Sequence, residues 1–148
     1  METFNHKIKR LINYYIKITG TRDPAEIASS IGIKIAILPL GNIAGNYQLI
    51  NRKRWILINE DIPPDSAFFK IVIAHELGHA IFHRKENCAF IKNRTLLLTS
   101  GIEREANIFA AHLLISDDML QEYAGFTEEQ FCQCTGYPME LIKLRLRK

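Results

Sequence analysis

The spacing of apolar residues changes along the chain, and each spacing predicts a different kind of element. Over residues 4–18 the apolar positions follow a 3.6-residue repeat with the lysines off the stripe, which predicts an amphipathic helix that ends at Gly20. Asp23 and Pro24 are a typical helix start, and they predict a second, short helix that ends at Gly32.

Three short segments rich in β-branched and aromatic residues follow, at 33–39, 46–50 and 54–59. Glycines and a polar corner at 51–53 separate them. We therefore predict a small three-stranded antiparallel sheet in which consecutive strands are neighbours. We also expect residues 45–49 to form an edge strand that could align an extended substrate by strand addition.

The second half of the chain shows helical periodicity again. A helix predicted over 66–83 is apolar on nearly all sides, so it belongs in the middle of the fold. A polar stretch at 84–100 precedes a further helix at about 101–115. The fold class is thus α+β, in one domain spanning 1–148, with N-terminal helices (1–32), a sheet (33–60), two central helices (66–115) and a helical tail (117–148).

Composition narrows the function classes. The chain has 148 residues, 47% of them hydrophobic and 24% charged, which suits one folded domain and excludes global disorder. A net charge of +3 is too small for a protein that mainly neutralises phosphates, so we do not expect direct nucleic-acid binding. No apolar run approaches the ~18 residues that span a bilayer, and no signal peptide is evident. We expect a cytoplasmic protein with no membrane partner.

The predicted central helix contains the sequence His-Glu-Leu-Gly-His at 75–79. Residues i and i+4 project from one helix face, so His75 and His79 can bind one metal ion. Glu76 lies about 100° around the helix, beside the metal position rather than on it. It is therefore the candidate general base, which would take a proton from the attacking water and pass it to the leaving nitrogen.

A catalytic zinc site needs a third protein ligand. The candidates are His83, Glu86, Cys88, Glu103 and Glu105. On a helical projection Glu103 shares a face with small residues, which would let its helix approach the metal-binding helix closely. Glu105 falls on the other side and is expected to be a solvated carboxylate. Glu103 is therefore preferred, and Glu105 remains the alternative.

Asn107 lies one turn after Glu103 on the same predicted face. It could hold a ligand imidazole through the second ring nitrogen, as residues around metal sites commonly do. Catalysis also needs a hydrogen-bond donor that stabilises the oxyanion. The sequence offers four candidates and favours none of them: His83, His112, Tyr47 and Tyr123.

Two sequence blocks resemble the ImmA/IrrE metallopeptidase family. The block HELGHAIFH at 75–83 is a general zinc-peptidase signature, and EREANIFAAHLL at 103–114 is much more specific. With the strand segment Trp55–Asn59, the resemblance covers roughly residues 25–120. It also extends to thermolysin-like enzymes, in which the glutamate at the position of Glu103 is the ligand. Family members usually carry a proline shortly after the two leucines, and residues 115–117 lack it.

The resemblance implies an intracellular zinc endopeptidase with narrow substrates and one Zn²⁺ per chain. Members from prophages and other mobile elements cleave the helix-turn-helix repressor that silences the element. The absence of a large sensor domain makes this chain more similar to that type. An activating partner could also be required.

The alternative function is a non-proteolytic regulatory module that binds a repressor or DNA around a structural zinc. The tail reads as helix–turn–helix, but Lys143, Arg145 and Arg147 alternate with leucines instead of clustering, which favours a solvated amphipathic end. A structural zinc normally has four protein ligands, often cysteines. The three cysteines are not suitably spaced, so the enzyme is favoured.

Overall fold

The computed structural model describes residues 2–84, 88–91 and 101–147, with only the backbone at 88–91, 101 and 102. The predicted helices are confirmed to within one or two residues at each end. In chain order the elements are α1 (Phe4–Thr19), α2 (Pro24–Ser30), β1 (Lys34–Leu38), β2 (Ile43–Ile50), β3 (Lys53–Asn59), α3 (Ala67–Phe82), β4 (Cys88–Ile91), α4 (Gly101–Leu114), α5 (Asp117–Glu122), α6 (Glu128–Thr135) and α7 (Met139–Leu146).

The α+β class is confirmed, but the prediction of a purely antiparallel sheet is wrong. The strand order is β1-β3-β2-β4, and β1 runs parallel to β3, with Lys34 opposite Trp55 and Leu38 opposite Asn59. The pairs β2–β3 and β2–β4 are antiparallel. The fourth strand lies in the polar stretch at 84–100, where no strand is predicted. Because β4 pairs with Gly45, Asn46 and Tyr47 of β2, the expectation that residues 45–49 form an edge strand is wrong for these three residues.

Local interactions explain this order. Asn51 and Arg52 have φ values of 51° and 66°, the left-handed conformation of a tight two-residue hairpin turn, so β2 and β3 pair directly. At the far end of β3, the buried Asn59 side chain donates hydrogen bonds of 2.9 Å to the carbonyls of Gly41 and Ile43. These bonds tie the β1–β2 connection to the end of β3, and β1 lies on the outer side of β3.

Helix α3 is the centre of the fold. The Ser66 hydroxyl accepts a hydrogen bond of 3.1 Å from the Phe69 amide and so caps the first turn. The helix is buried from Ile71 to Ala80, as its all-round apolar character predicts. It packs against β2 and β3 on one side and against α4 on the other. This sandwich holds the His-Glu-Leu-Gly-His segment between the sheet and α4.

The close contact of α3 with α4 depends on Gly78. A Cβ at this position would lie 3.1 Å from the Ala106 Cα and 3.3 Å from the Ala106 carbonyl oxygen. Ala106 and Ala110 are fully buried on this face of α4. The predicted approach of the two helices through small residues is therefore confirmed.

The tail packs onto the body through α7, which contacts α4. Arg145 is only 7% exposed, so the expectation of a solvated end is wrong for this residue, although Lys143 and Arg147 are exposed. The Arg145 Nε donates a 2.6 Å hydrogen bond to the Ile115 carbonyl, and its guanidinium pairs with Asp117. Among the described residues, no helix is both long and apolar enough to cross a membrane.

Candidate metal centre

Helix α3 places His75 and His79 side by side in the interior. Each side chain is at most 1% exposed, and their Nε2 atoms are 3.1 Å apart. The ring planes are nearly perpendicular, at 84°. The i, i+4 spacing thus directs both nitrogens to one point, as predicted.

Helix α4 adds Glu103 to this point from the opposite side. One carboxylate oxygen is 3.0 Å from the His75 Nε2 and the other is 3.0 Å from the His79 Nε2. One donor atom from each of the three residues lies within 4.8 Å of the others. Two imidazoles and one carboxylate are a donor set that suits catalytic zinc, which keeps three protein ligands and an open fourth position.

The protonation states of these groups also fit a divalent cation. Burial lowers the pKa of His75, so its imidazole is neutral at physiological pH. Burial acts to raise the pKa of Glu103, but the neighbouring His75 and His79 side chains outweigh this effect and the pKa is lowered. An ionised carboxylate beside the neutral His75 imidazole offers one negative charge and several lone pairs to a cation.

Asn107 lies where the helical projection placed it, one turn along α4 from Glu103. Its Oδ1 is 2.7 Å from the His75 Nδ1, and the side chain is buried. An amide oxygen only accepts hydrogen bonds, so His75 donates from Nδ1, and a neutral ring then has its lone pair on Nε2, available to a cation. Asn107 therefore orients this imidazole in the way that a metal ligand requires.

Glu76 lies next to these residues without joining their cluster. Its side chain is completely buried, and among the described residues no hydrogen bond of normal geometry reaches either carboxylate oxygen. Burial raises the pKa of Glu76 well above its usual value, the Glu103 charge adds to this, and the nearby Tyr47 backbone amide opposes it. Strand β2 passes close by, since a Cβ on Gly45 would lie 3.4 Å from the Glu76 Cγ.

The remaining ligand candidates are placed differently. Glu105 is on the other side of α4, 41% exposed, but it is not simply solvated because its Oε1 lies 2.8 Å from the His83 Nε2. His83 is buried and its Nδ1 lies 3.1 Å from the His79 Nδ1, away from the cluster. Glu86 and the side chain of Cys88 lie outside the described residues.

The other side chains considered as oxyanion donors have different surroundings. The Tyr47 hydroxyl donates a 2.7 Å hydrogen bond to the Arg84 carbonyl. Tyr123 packs against Phe126 and Phe131 in the tail. His112 lines a cavity of about 220 Å³ whose walls also include residues of α1 and α7.

Two packed helices that bring two histidines and a glutamate together, with a second buried glutamate beside them, are typical of one class of protein, the metallopeptidases. Comparison with known proteins specifies the family. The Peptidase_M78 family model, described as the IrrE N-terminal-like domain, matches residues 28–146. The chain belongs to this family.

Two relatives agree with this assignment. A protein of Bacillus phage phi105 named "Uncharacterized immunity region protein 2" is 36% identical over 141 residues, covering 93% of this chain and 88% of that protein. "Metallopeptidase ImmA" of Bacillus subtilis (strain 168) is 31% identical over 145 residues, covering 94% of this chain and 83% of that protein. Family and relatives support a metallopeptidase of the M78 type, and the family implies a bound metal.

Proposed function

We propose that this protein is a zinc-dependent endopeptidase that cleaves a helix-turn-helix repressor of a prophage or integrative element in the cytoplasm. The observation that carries the proposal is the convergence of His75, His79 and Glu103 on one point, with the buried Glu76 beside it. The donor chemistry supports Zn²⁺, one per chain, held by these three residues. Zinc in such a site lowers the pKa of water and polarises the carbonyl of the bond to be cleaved.

Each residue has a distinct task in this proposal. Glu103 and the two histidines hold the cation, and Asn107 keeps the His75 ring in place. Glu76 takes a proton from the attacking water and gives it to the departing peptide nitrogen. Its burial supports this role, because a carboxylate whose pKa is raised accepts a proton more readily than an exposed one.

The substrate is proposed from the relatives and the family resemblance. One relative is named as a protein of a phage immunity region and another as a metallopeptidase. Immunity depends on a repressor, so a protease encoded in such a region would act on that repressor. Arg145 is committed to contacts within the chain, which argues against the alternative of DNA binding by the tail.

The test compares zinc content and proteolysis in matched glutamate variants. Zinc per chain is measured by elemental analysis for the native protein, Glu76→Gln, Glu103→Gln and, as a control, Glu122→Gln on the exposed surface of α5. The same proteins are expressed in cells together with the repressor of the same mobile element, and loss of intact repressor is followed with time. Glu76→Gln should keep zinc and slow cleavage about 10²- to 10⁴-fold.

Glu103→Gln should lose zinc and activity together, and Glu122→Gln should behave as the native protein. A native chain that binds no zinc would disprove the zinc site. Cleavage by Glu76→Gln at the native rate would disprove the general base. If the native protein binds zinc and leaves the repressor intact in cells in which the element is induced, the proposed substrate is wrong.

A further inference from the structure

A second group of side chains contacts His79 on the side that faces away from the candidate metal position. His79 Nδ1 lies 3.1 Å from the His83 Nδ1, and the His83 Nε2 lies 2.8 Å from the Glu105 Oε1. His83 is one helical turn after His79 on α3, and Glu105 comes from α4. The three side chains form a continuous row from the α4 surface to the cluster.

A bound cation and the Glu105 carboxylate together set the direction of this row. A cation at the His79 Nε2 leaves the ring proton on Nδ1, and the His83 Nδ1, 3.1 Å away, accepts it. His83 then carries its own proton on Nε2 and donates it to the Glu105 carboxylate, which only accepts hydrogen bonds. The opposite direction would place a proton on the His79 Nε2, which faces Glu103 at 3.0 Å, and would exclude a cation.

We propose that His83 and Glu105 are positioning residues that hold His79 in the orientation and tautomer needed to bind the metal. The inference rests on the metal site of the proposed function and extends it by two residues. His83 is not itself a ligand in this arrangement, because it contacts the outer nitrogen of His79, whereas the inner nitrogen faces the cluster.

The row has a counterpart on the other histidine. Asn107 accepts from the His75 Nδ1 as His83 accepts from the His79 Nδ1. Each ligand imidazole is thus held through its outer nitrogen by a side chain from its own or the facing helix. Helix α4 supplies three of the groups involved, with Glu103 facing inward, Glu105 outward, and Asn107 one turn after Glu103.

The arrangement is poorly explained as a device for stability alone. The Glu105 side chain is 41% exposed, and a hydrogen bond so open to water contributes only modestly to the free energy of folding. Its effect on His79 is of another kind, since removal of an outer partner commonly lowers metal affinity about 10- to 100-fold. A measurement of metal affinity therefore separates the two roles.

The experiment uses the full chain with His83→Leu, which removes the acceptor, and His83→Asn, whose side-chain oxygen can still accept from His79. His6→Leu, at an exposed histidine of α1, is the matched control. Zinc affinity is measured by competition with a chromophoric chelator, and the free energy of unfolding of the metal-free proteins is measured in parallel. We expect His83→Leu to weaken zinc binding about 10- to 100-fold, His83→Asn to recover most of the affinity, and His6→Leu to change nothing.

A second readout is the hydrogen bond between His79 and His83 itself. In imidazole ¹H–¹⁵N spectra of the zinc-loaded protein, the His79 Nδ1–H of the native chain should lie downfield, because His83 accepts this proton. His83→Leu should move this ¹H signal upfield. Glu105→Gln retains an acceptor for the His83 Nε2–H and should keep the native shift, whereas Glu105→Leu should not.

Unchanged zinc affinity and an unchanged His79 Nδ1–H shift in a folded His83→Leu would overturn this proposal alone, even if that variant were less stable. A native protein that binds no zinc would overturn the proposed function together with this inference, so the two failures can be told apart.

Discussion

His112 is a buried histidine that the proposed chemistry does not use. It is 4% exposed, and neither ring nitrogen has a hydrogen-bond partner among the described residues. Burial first, and then the charges of Arg145, Lys9 and Arg22, lower its pKa to about 4, against the opposing effect of Asp117. The folded protein therefore keeps this imidazole neutral at pH values where an unfolded chain would protonate it.

The pH dependence of stability follows from this difference. Between about pH 6.5 and pH 4 the unfolded chain binds a proton at His112 that the folded chain does not, so stability falls as the pH falls. His112→Leu removes this proton uptake. As the pH falls from about 7.5 to 5, we expect the free energy of unfolding of the variant to rise by about 1–2 kcal/mol relative to that of the native protein.

Urea unfolding of the metal-free proteins at both pH values measures the effect, with His6→Leu as the exposed control. A difference between His112→Leu and the native protein that is the same at both pH values would show that His112 is not held neutral.

At the scale of elements, the candidate metal site depends on the distance between two helices. His75 and His79 come from α3 and Glu103 from α4, and Gly78 is where the helices meet. Metal–ligand distances tolerate deviations of only about 0.2 Å. The nearest atoms to a Cβ at Gly78 are backbone atoms of Ala106, which cannot rotate away.

Gly78→Ala should therefore move α4 away from α3 by a few tenths of an ångström and weaken zinc binding about 10-fold or more. Gly125→Ala is the comparison, because this tail glycine has φ +89° with no heavy atom within 4 Å of the added Cβ. It should lose about 1–2 kcal/mol of stability from backbone strain with no change in zinc affinity. Equal zinc affinities in both variants would show that the helix separation does not control the site.

The element scale also shows how far the sequence predicts the site. The sequence places His75, Glu76 and His79 because their spacing acts within one helix, and the face of α4 selects Glu103 over Glu105 because small residues surround it. The pair of His83 and Glu105 is not predicted, because the pattern of one helix does not show which residue of another helix packs against it. The i, i+4, i+8 series of histidines is the available signal, but the partner of His83 lies on α4 and depends on how the helices pack.

At the scale of the whole molecule, Arg145 joins the end of the chain to its centre. It bonds the Ile115 carbonyl, just after α4, and the Asp117 side chain at the start of α5. The sequence predicted the tail helices but not this burial, because alternation of arginine with leucine also fits an exposed helix. The strand order was missed for a similar reason, since β1 pairs with a strand that is not its neighbour in sequence.

Arg145→Met keeps the length of the side chain and removes its hydrogen bonds. The Ile115 carbonyl then loses its charged donor, so we expect a loss of about 2–3 kcal/mol in the free energy of unfolding. Arg147→Met, at an exposed position of the same segment, should stay within about 0.5 kcal/mol of the native protein. Chemical denaturation of both variants tests this, and equal midpoints would contradict the anchoring role of Arg145.

The position of β3 between β1 and β2 has a consequence for the protein during its synthesis. When β1 and β2 have left the ribosome, neither has its β3 partner, so the sheet cannot form until residue 59 is available. The β2–β3 hairpin can then close, and β1 adds to it from the other side. Glu103 and Asn107 emerge later still, so β1, β2 and β3 are all synthesised before the chain has a complete set of the proposed metal ligands.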